Sequence, residues 1–210
     1  MTRPARDPHN NAPDASRLIL LLVDVINDFD FPGAEKFLEH ALPVARSIAT
    51  LAARARRLRI PVVYANDNFG RWRSDLAAIV RRAHRRGGAG RRIARLLRPR
   101  RSDYVVLKPK NSAFFGSPLE LLLRYLGAER VILAGFAGNI CVLFTANDLY
   151  LRDYRLWVPS DCCASNTEAE NAFALAQMRR VLKAVVLASP DLNLRRLRGR
   201  LGSRRRGGQV

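Results

Sequence analysis

The sequence predicts an α/β fold: a three-layer, Rossmann-like arrangement of a six-stranded, mostly parallel sheet with helices on both faces. Three observations predict it. Short apolar runs alternate with longer segments of helical spacing through most of the chain. The first run, 18–25, is apolar apart from Asp24 and shows no alternation, as a strand covered on both faces should. The 210 residues, 48% hydrophobic and 26% charged, suffice to bury one full core without disulfides or a structural metal.

The elements follow in order. After the strand at 18–25, residues 34–59 have helical spacing, with Leu38, Leu42, Ala45, Ile48, Ala49 and Ala52 on one face and Pro43 placed to kink or restart the helix. A second strand spans 60–65. Helical patterns at 72–86 and 91–98 are separated by Gly87-Gly88-Ala89-Gly90. A third strand spans 104–107. The helix at 117–126 has Pro118 in its first turn and Gly127 past its end. Strands at 131–134, 156–158 and 184–187 then alternate with helices at 140–151 and 167–183. No internal repeat is present.

Polar segments flank this core. Residues 1–16, rich in Pro and Asn, read as a disordered arm, 17–192 as one folded domain, and 193–210 as a basic, mostly disordered tail. The net charge of +19 is unevenly spread. The arm is neutral and the tail carries seven Arg and no acid; subtracting these leaves +12 on the domain. Ten Arg fall between Arg81 and Arg101. Such segments predict non-specific contact with polyanions, and they leave a basic nucleic-acid-associated protein as an alternative reading of the chain. Arginine nevertheless outnumbers lysine 33 to four along the whole chain, which is as much a composition bias as a binding surface.

The opening residues lack the apolar stretch of a signal peptide, and the longest apolar run is far too short to span a bilayer. Cys141, Cys162 and Cys163 have neither disulfide nor zinc spacing. A reduced, soluble, cytoplasmic protein is expected, with no membrane partner. His9, His40 and His84 are scattered without metal-ligand spacing, so neither metal nor cofactor is expected.

In an open parallel sheet, functional groups gather beyond the carboxyl ends of the strands. That rule selects Asp24, Lys108 and the stretch from Gly135 to Cys141. Cys141 follows a tight turn, Gly135-Phe136-Ala137-Gly138-Asn139, into a helix. A cysteine in a first helical turn sits at the positive end of the macrodipole, which favours the nucleophilic thiolate. Free N–H groups of that turn can receive an oxyanion. The plainer alternative is a buried structural cysteine. Asp24 ends an apolar strand, where a carboxylate is costly to bury unpaired; it suits a general base, a metal ligand or a hydrogen-bond anchor. Asp28, one helical turn on, reads as a brace for the loop. Lys108 ends the third strand and would lower the pKa of a neighbouring thiol. Its competitor is Lys110, and the alternative for either is a solvated lysine.

Together these stretches resemble the isochorismatase-like cysteine hydrolases, a family that includes nicotinamidases and carbamoyl-amide hydrolases. The resemblance rests on Leu-Leu-Val-Asp-Val-Ile-Asn-Asp-Phe around Asp24, on Leu107-Lys108-Pro109-Lys110-Asn111-Ser112-Ala113-Phe114, on Gly135-Phe136-Ala137-Gly138-Asn139-Ile140-Cys141-Val142, and on Thr145-Ala146-Asn147-Asp148. It covers roughly residues 17–190. It implies the six-stranded fold and a catalytic set of Asp24, Lys108 and Cys141. Lys108 is favoured over Lys110 because the family's lysine precedes the Ser-Ala-Phe element by four positions. It also implies a cis peptide at Phe136–Ala137, an oxyanion hole from the N–H groups of Ala137 and Cys141, a homo-oligomer, and a small-molecule substrate cleaved through a thioester. Nicotinamidases of the family hold a metal through an aspartate and histidines after the second strand; the matching stretch here, 64–75, has Asp67 and no histidine. Isochorismatases proper cleave a vinyl ether without a thiol, so a cysteine at 141 argues for C–N hydrolysis. Phe29, Trp72 and Phe114 are candidate walls for a planar substrate, with ordinary core packing as the alternative. Cys162 and Cys163 read as structural, with Asp161 capping a turn.

Overall fold

The computed structural model describes residues 15–70, 75–84 and 90–199. The expected arm up to residue 14, the helix ends at 72–74 and 85–86, Trp72 and the tail from 200 lie outside the described residues.

The central strand is β1 (Leu18–Val23), all six residues buried. It pairs in parallel with β2 (Val62–Asp67) on one side and β4 (Arg130–Phe136) on the other. Outside these lie β3 (Tyr104–Lys108) beyond β2, and β5 (Arg155–Pro159) then β7 (Val185–Leu187) beyond β4, giving the order β3-β2-β1-β4-β5-β7. A two-residue strand, β6 (Cys163–Ala164), was not expected; it pairs with Gly135 and Phe136 at the carboxyl end of β4. Every pairing is parallel.

Parallel strands need crossovers, and the crossovers cover both faces. On one side α1 (Ala34–Arg57), α2 (Leu76–Ala83) and α3 (Arg91–Leu96) share a core, and Leu18, Leu20 and Leu22 point into it. On the other, α4 (Leu119–Leu126), α5 (Leu143–Leu151) and α6 (Glu168–Arg180) cover Ile19, Leu21 and Val23. Successive residues of β1 thus feed two cores, which is why its sequence shows no polar alternation.

Pro43 sits inside α1 without ending it. It is exposed, so the carbonyl one turn back is left to water at little cost. The fold also extends past the expected domain end. Leu194 is buried in the α1-side core, and residues Leu194–Arg198 form α7, capped by the Asn193 side chain accepting from the Arg196 N–H at 3.0 Å. Arg130 ties this helix down by donating to the Leu197 carbonyl at 2.6 Å. At the other end Ser16 is buried and donates its N–H to the Leu126 carbonyl. Among the described residues no helix is long and apolar enough to cross a membrane.

Candidate active site

Three strand ends bring the site together. Asp24, just after β1, has a left-handed backbone (φ 54°), uncommon outside glycine but more tolerated by Asp than by most residues. Its N–H donates to Ala65 at 3.0 Å, so the residue still follows the sheet while its carboxylate turns across the strand ends. One carboxylate oxygen accepts from the Asp67 N–H at 2.7 Å; the other lies 2.8 Å from Lys108 Nζ. Lys108 is fully buried. Its ammonium also donates to the Lys110 carbonyl at 2.9 Å, lies 3.4 Å from Asp67 Oδ2, and stands 3.8 Å from Cys141 Sγ. Lys110 is exposed and contributes only that carbonyl here.

The cysteine is carried by an unusual turn. Gly135, at the end of β4, has φ +148°, and a side chain there would collide with the Val23 carbonyl; only glycine lets the two strands approach this closely. No peptide among the described residues is cis, so the Phe136–Ala137 bond implied by the family resemblance is trans. The reversal comes from Ala137, in the left-handed region at φ 54° and ψ 61°. Residues Gly138–Val142 then form a π-helical turn rather than the first turn of an α-helix, with the Val142 N–H reaching five residues back to Ala137 at 3.2 Å. Single π turns concentrate at functional sites.

The charge on the thiol also departs from expectation. Burial, then the negative charge of Asp24, pushes the Cys141 thiol up to about 12; Lys108 pulls the other way and is outweighed. The thiolate expected from the helix end and the lysine is therefore not the resting form. Burial raises the Asp24 carboxyl above its ordinary value against the opposing pull of Lys108, Cys141 and the Asp67 N–H. Burial works to lower Lys108, but Asp24 foremost, with Cys141 and Asp67, holds its ammonium above the ordinary lysine value. The resting site is a buried lysine–aspartate pair beside a neutral thiol.

Several supporting residues acquire their role only in the fold. Asn66, buried at the end of β2, accepts from the Ile26 N–H at 3.0 Å and donates to the Ile26 carbonyl at 2.9 Å, pinning the loop after Asp24. An asparagine closing an apolar strand was the signal for it. Thr145 donates to the Cys141 carbonyl at 2.7 Å and accepts from the Ala113 N–H at 3.0 Å, joining the cysteine helix to the lysine loop. Ser165 accepts from the Asn139 N–H at 3.0 Å and donates to Asn171, whose amide donates to the Cys163 carbonyl at 3.1 Å. No local pattern marks Ser165 or Asn171; β6 and α6 bring them there.

The candidate pocket walls are placed differently. Phe29 is buried, 5.7 Å from Phe37 and 5.9 Å from Phe136 between ring centres, inside an aromatic cluster of the core. Phe114 is buried with the Arg152 guanidinium 4.6 Å over its ring. Both therefore show the core-packing alternative, because neighbouring rings and an arginine cover them; Trp72 lies outside the described residues. Asp28 pairs with Arg82 and braces its loop. Asp161 accepts from the Ser189 N–H at 2.6 Å and hydroxyl at 2.7 Å, and Cys162 and Cys163 are buried.

The donor set after β2 does not suit a metal. The Asp67 carboxylate is engaged by Lys108 and by the Phe69 N–H at 2.6 Å, and its neighbours are Asn66, Asn68 and Phe69. Among the described residues no three His, Cys, Asp or Glu side chains are placed to hold a metal ion; Asp24, Asp67 and Cys141 converge on the Lys108 ammonium instead.

Comparison with known proteins agrees with this architecture. The Isochorismatase domain family matches residues 18–189. An uncharacterized isochorismatase family protein, YaaI of Bacillus subtilis strain 168, is 40% identical over 173 residues, covering 82% of this chain and 94% of that protein. Ureidoacrylate amidohydrolase RutB of Methylobacterium radiotolerans is 29% identical, over 72% of this chain and 68% of its own. The N-carbamoylsarcosine amidase structure from Thermoplasma acidophilum aligns with a TM-score of 0.61 at 30% identity, over 84% of this chain and 99% of that one. With its parallel sheet, its clustered strand-end residues and a match across nearly the whole described fold, the chain belongs to the isochorismatase family of hydrolases.

Proposed function

We propose that this hydrolase cleaves a carbon–nitrogen bond of a small amide or carbamoyl compound through a thioester on Cys141. The observation that carries the reading is the meeting of Asp24, Lys108 and Cys141 at one point, with the lysine fully buried between carboxylate and sulfur. A resting thiol near 12 needs a base at the moment of attack. Asp24 is that base. It takes the Sγ proton as sulfur bonds to the carbonyl carbon, and the Lys108 ammonium stabilises the sulfur as charge develops. The oxygen is held by the N–H groups of Ala137 and Cys141. The tetrahedral species collapses, the C–N bond breaks, and Asp24 returns its proton to the leaving ammonia or amine. Water then attacks the thioester, giving its proton to Asp24; the C–S bond breaks and sulfur recovers that proton.

The names of two relatives point to the substrate class. Ureidoacrylate and N-carbamoylsarcosine both carry a carbamoyl group on nitrogen, which favours such compounds as first candidates. The test is ammonia release from a panel of N-carbamoyl amino acids, ureido acids and simple primary amides. Cys141→Ala is expected to lose activity by ~10⁴-fold or more, the scale seen when a covalent nucleophile is removed. A thioester adduct on Cys141 should be visible by mass spectrometry after acid quench. Full ammonia release by Cys141→Ala would refute the thioester route.

A further inference from the structure

At the carboxyl ends, beside the candidate active site, the aspartates are paired, Asp24 and Asp67 with Lys108 and Asp28 and Asp30 with Arg82. A further set of exposed arginines gathers at the amino ends of the strands. Arg130 and Arg155 are Cα partners there, and Arg59 and Arg101 each stand three residues ahead of the neighbouring starts Val62 and Tyr104. The helices run back against the strands, so α1 delivers Arg57 to this end, and α7 adds Arg195 and Arg196. Arg57, Arg59, Arg101, Arg155, Arg195 and Arg196 are all exposed.

The acids at this end are few, and two are already taken. Glu129 pairs with Arg17, and Asp103 with Arg56 at 2.7 Å. Asp153 is exposed and Asp191 lies in the wall of a groove of about 700 Å³, whose other walls include Arg54, Arg57 and Arg195. Two exposed tyrosines reach the same end: Tyr125 in the last turn of α4, beside the Leu126 carbonyl that holds Ser16, and Tyr150 in the last turn of α5.

We propose that the amino end of the sheet is a docking face for single-stranded nucleic acid, at the opposite end of the strands from the candidate active site. Exposed guanidiniums with few acids to neutralise them bind phosphates and release counterions. Exposed tyrosine rings stack on bases without reading sequence. A concave groove with Arg57 and Arg195 in its walls suits a strand better than the flat surface of a lipid bilayer.

The test uses the full chain and a fluorescein-labelled, mixed-sequence single-stranded DNA, with anisotropy measured across salt. Three variants are compared, each checked for native circular dichroism. One replaces Arg57, Arg59, Arg101 and Arg155 by Gln. A charge-matched control replaces Arg46, Arg81, Arg91 and Arg92, which lie on helices away from this end. The third is Tyr125→Ala with Tyr150→Ala. The first variant should lower the slope of log affinity against log salt by about 3, at ~0.7 per phosphate contact, while the control keeps most of the slope. The tyrosine variant should bind at least several-fold more weakly at unchanged slope. Equal losses in the two arginine variants would show attraction by net charge alone and overturn the proposal. So would binding to phosphatidylserine vesicles in preference to DNA, or a tyrosine variant indistinguishable from wild type with inorganic polyphosphate competing as well as DNA.

Discussion

Cys141 reacts according to who holds its proton. Its thiol is raised to about 12 by burial and by Asp24, so at neutral pH the free enzyme carries a thiol, and alkylation by iodoacetamide should keep accelerating well into the alkaline range. The signs of the substitutions follow from the same causes. Asp24→Asn removes a negative charge that disfavours the thiolate, so the thiol pKa falls and alkylation at neutral pH rises, while the proposed role of Asp24 as base predicts loss of hydrolysis. Lys108→Ala removes the compensating cation, so the thiol pKa rises further. Cys163 is also pushed up to about 12 by burial, and Cys162 is raised too; both are buried and should label later than half-buried Cys141. Site-resolved mass spectrometry over pH checks each direction. An Asp24→Asn thiol that titrates higher than wild type would contradict the charge arrangement described here.

At the scale of elements, the turn from β4 to the π-helical segment depends on two glycines that differ in kind. A Cβ at Gly135 would strike Val23 backbone in a conformation that side chains rarely adopt. Gly135→Ala is therefore expected to cost more than about 2 kcal/mol, or to prevent folding, because backbone strain and overlap add. A Cβ at Gly138 would meet the side-chain ends of Asn171 and Ser165, at 2.6 and 2.9 Å. Those ends can move, so Gly138→Ala should cost less in stability while loosening the Asn139 anchor. Urea denaturation separates the two. Helix α6 opens with a reciprocal cap, Thr167 accepting from the Glu170 N–H while the Glu170 carboxylate accepts from the Thr167 N–H. Thr167→Ala should cost about 1 kcal/mol by the same measurement. The helices on this side were legible as amphipathic or apolar patterns, whereas the π turn was not: it needs Ser165, Asn171 and Thr145, each from a different place in the chain or the next turn.

Over the whole molecule, the two helical layers present different outer surfaces. The α4–α6 side exposes Phe144, Leu151 and Phe173, at 53%, 74% and 69%. A helix such as α5, with apolar residues on its outer side as well as its inner one, is normally covered. We expect self-association through this layer, with Phe144→Arg and Phe173→Arg shifting the sedimentation coefficient to that of a monomer while circular dichroism stays native. An unchanged assembly would place the contact elsewhere. The two surfaces meet at the end of α5, where Tyr150 and Leu151 are neighbours.

The alternation of apolar runs and helical spacing was enough to determine a parallel sheet covered on both faces, since a buried parallel strand has no solvent side to show in its sequence. The strand-end rule brought Asp24, Lys108 and the 135–141 turn into view for the same reason: all parallel strands end on one side. The tertiary structure alone decided how those groups are charged. Proximity to Lys108 argued for a thiolate, but burial and the negative charge of Asp24 make the resting group a thiol, and burial is not a property of any local segment. Tertiary packing likewise turned Phe29 and Phe114 into core, drew residues 193–199 into the fold, and gathered arginines scattered between Arg57 and Arg196 onto one face. Each of these outcomes depends on contacts between residues far apart in the chain, set by strand order and register, which local spacing does not encode.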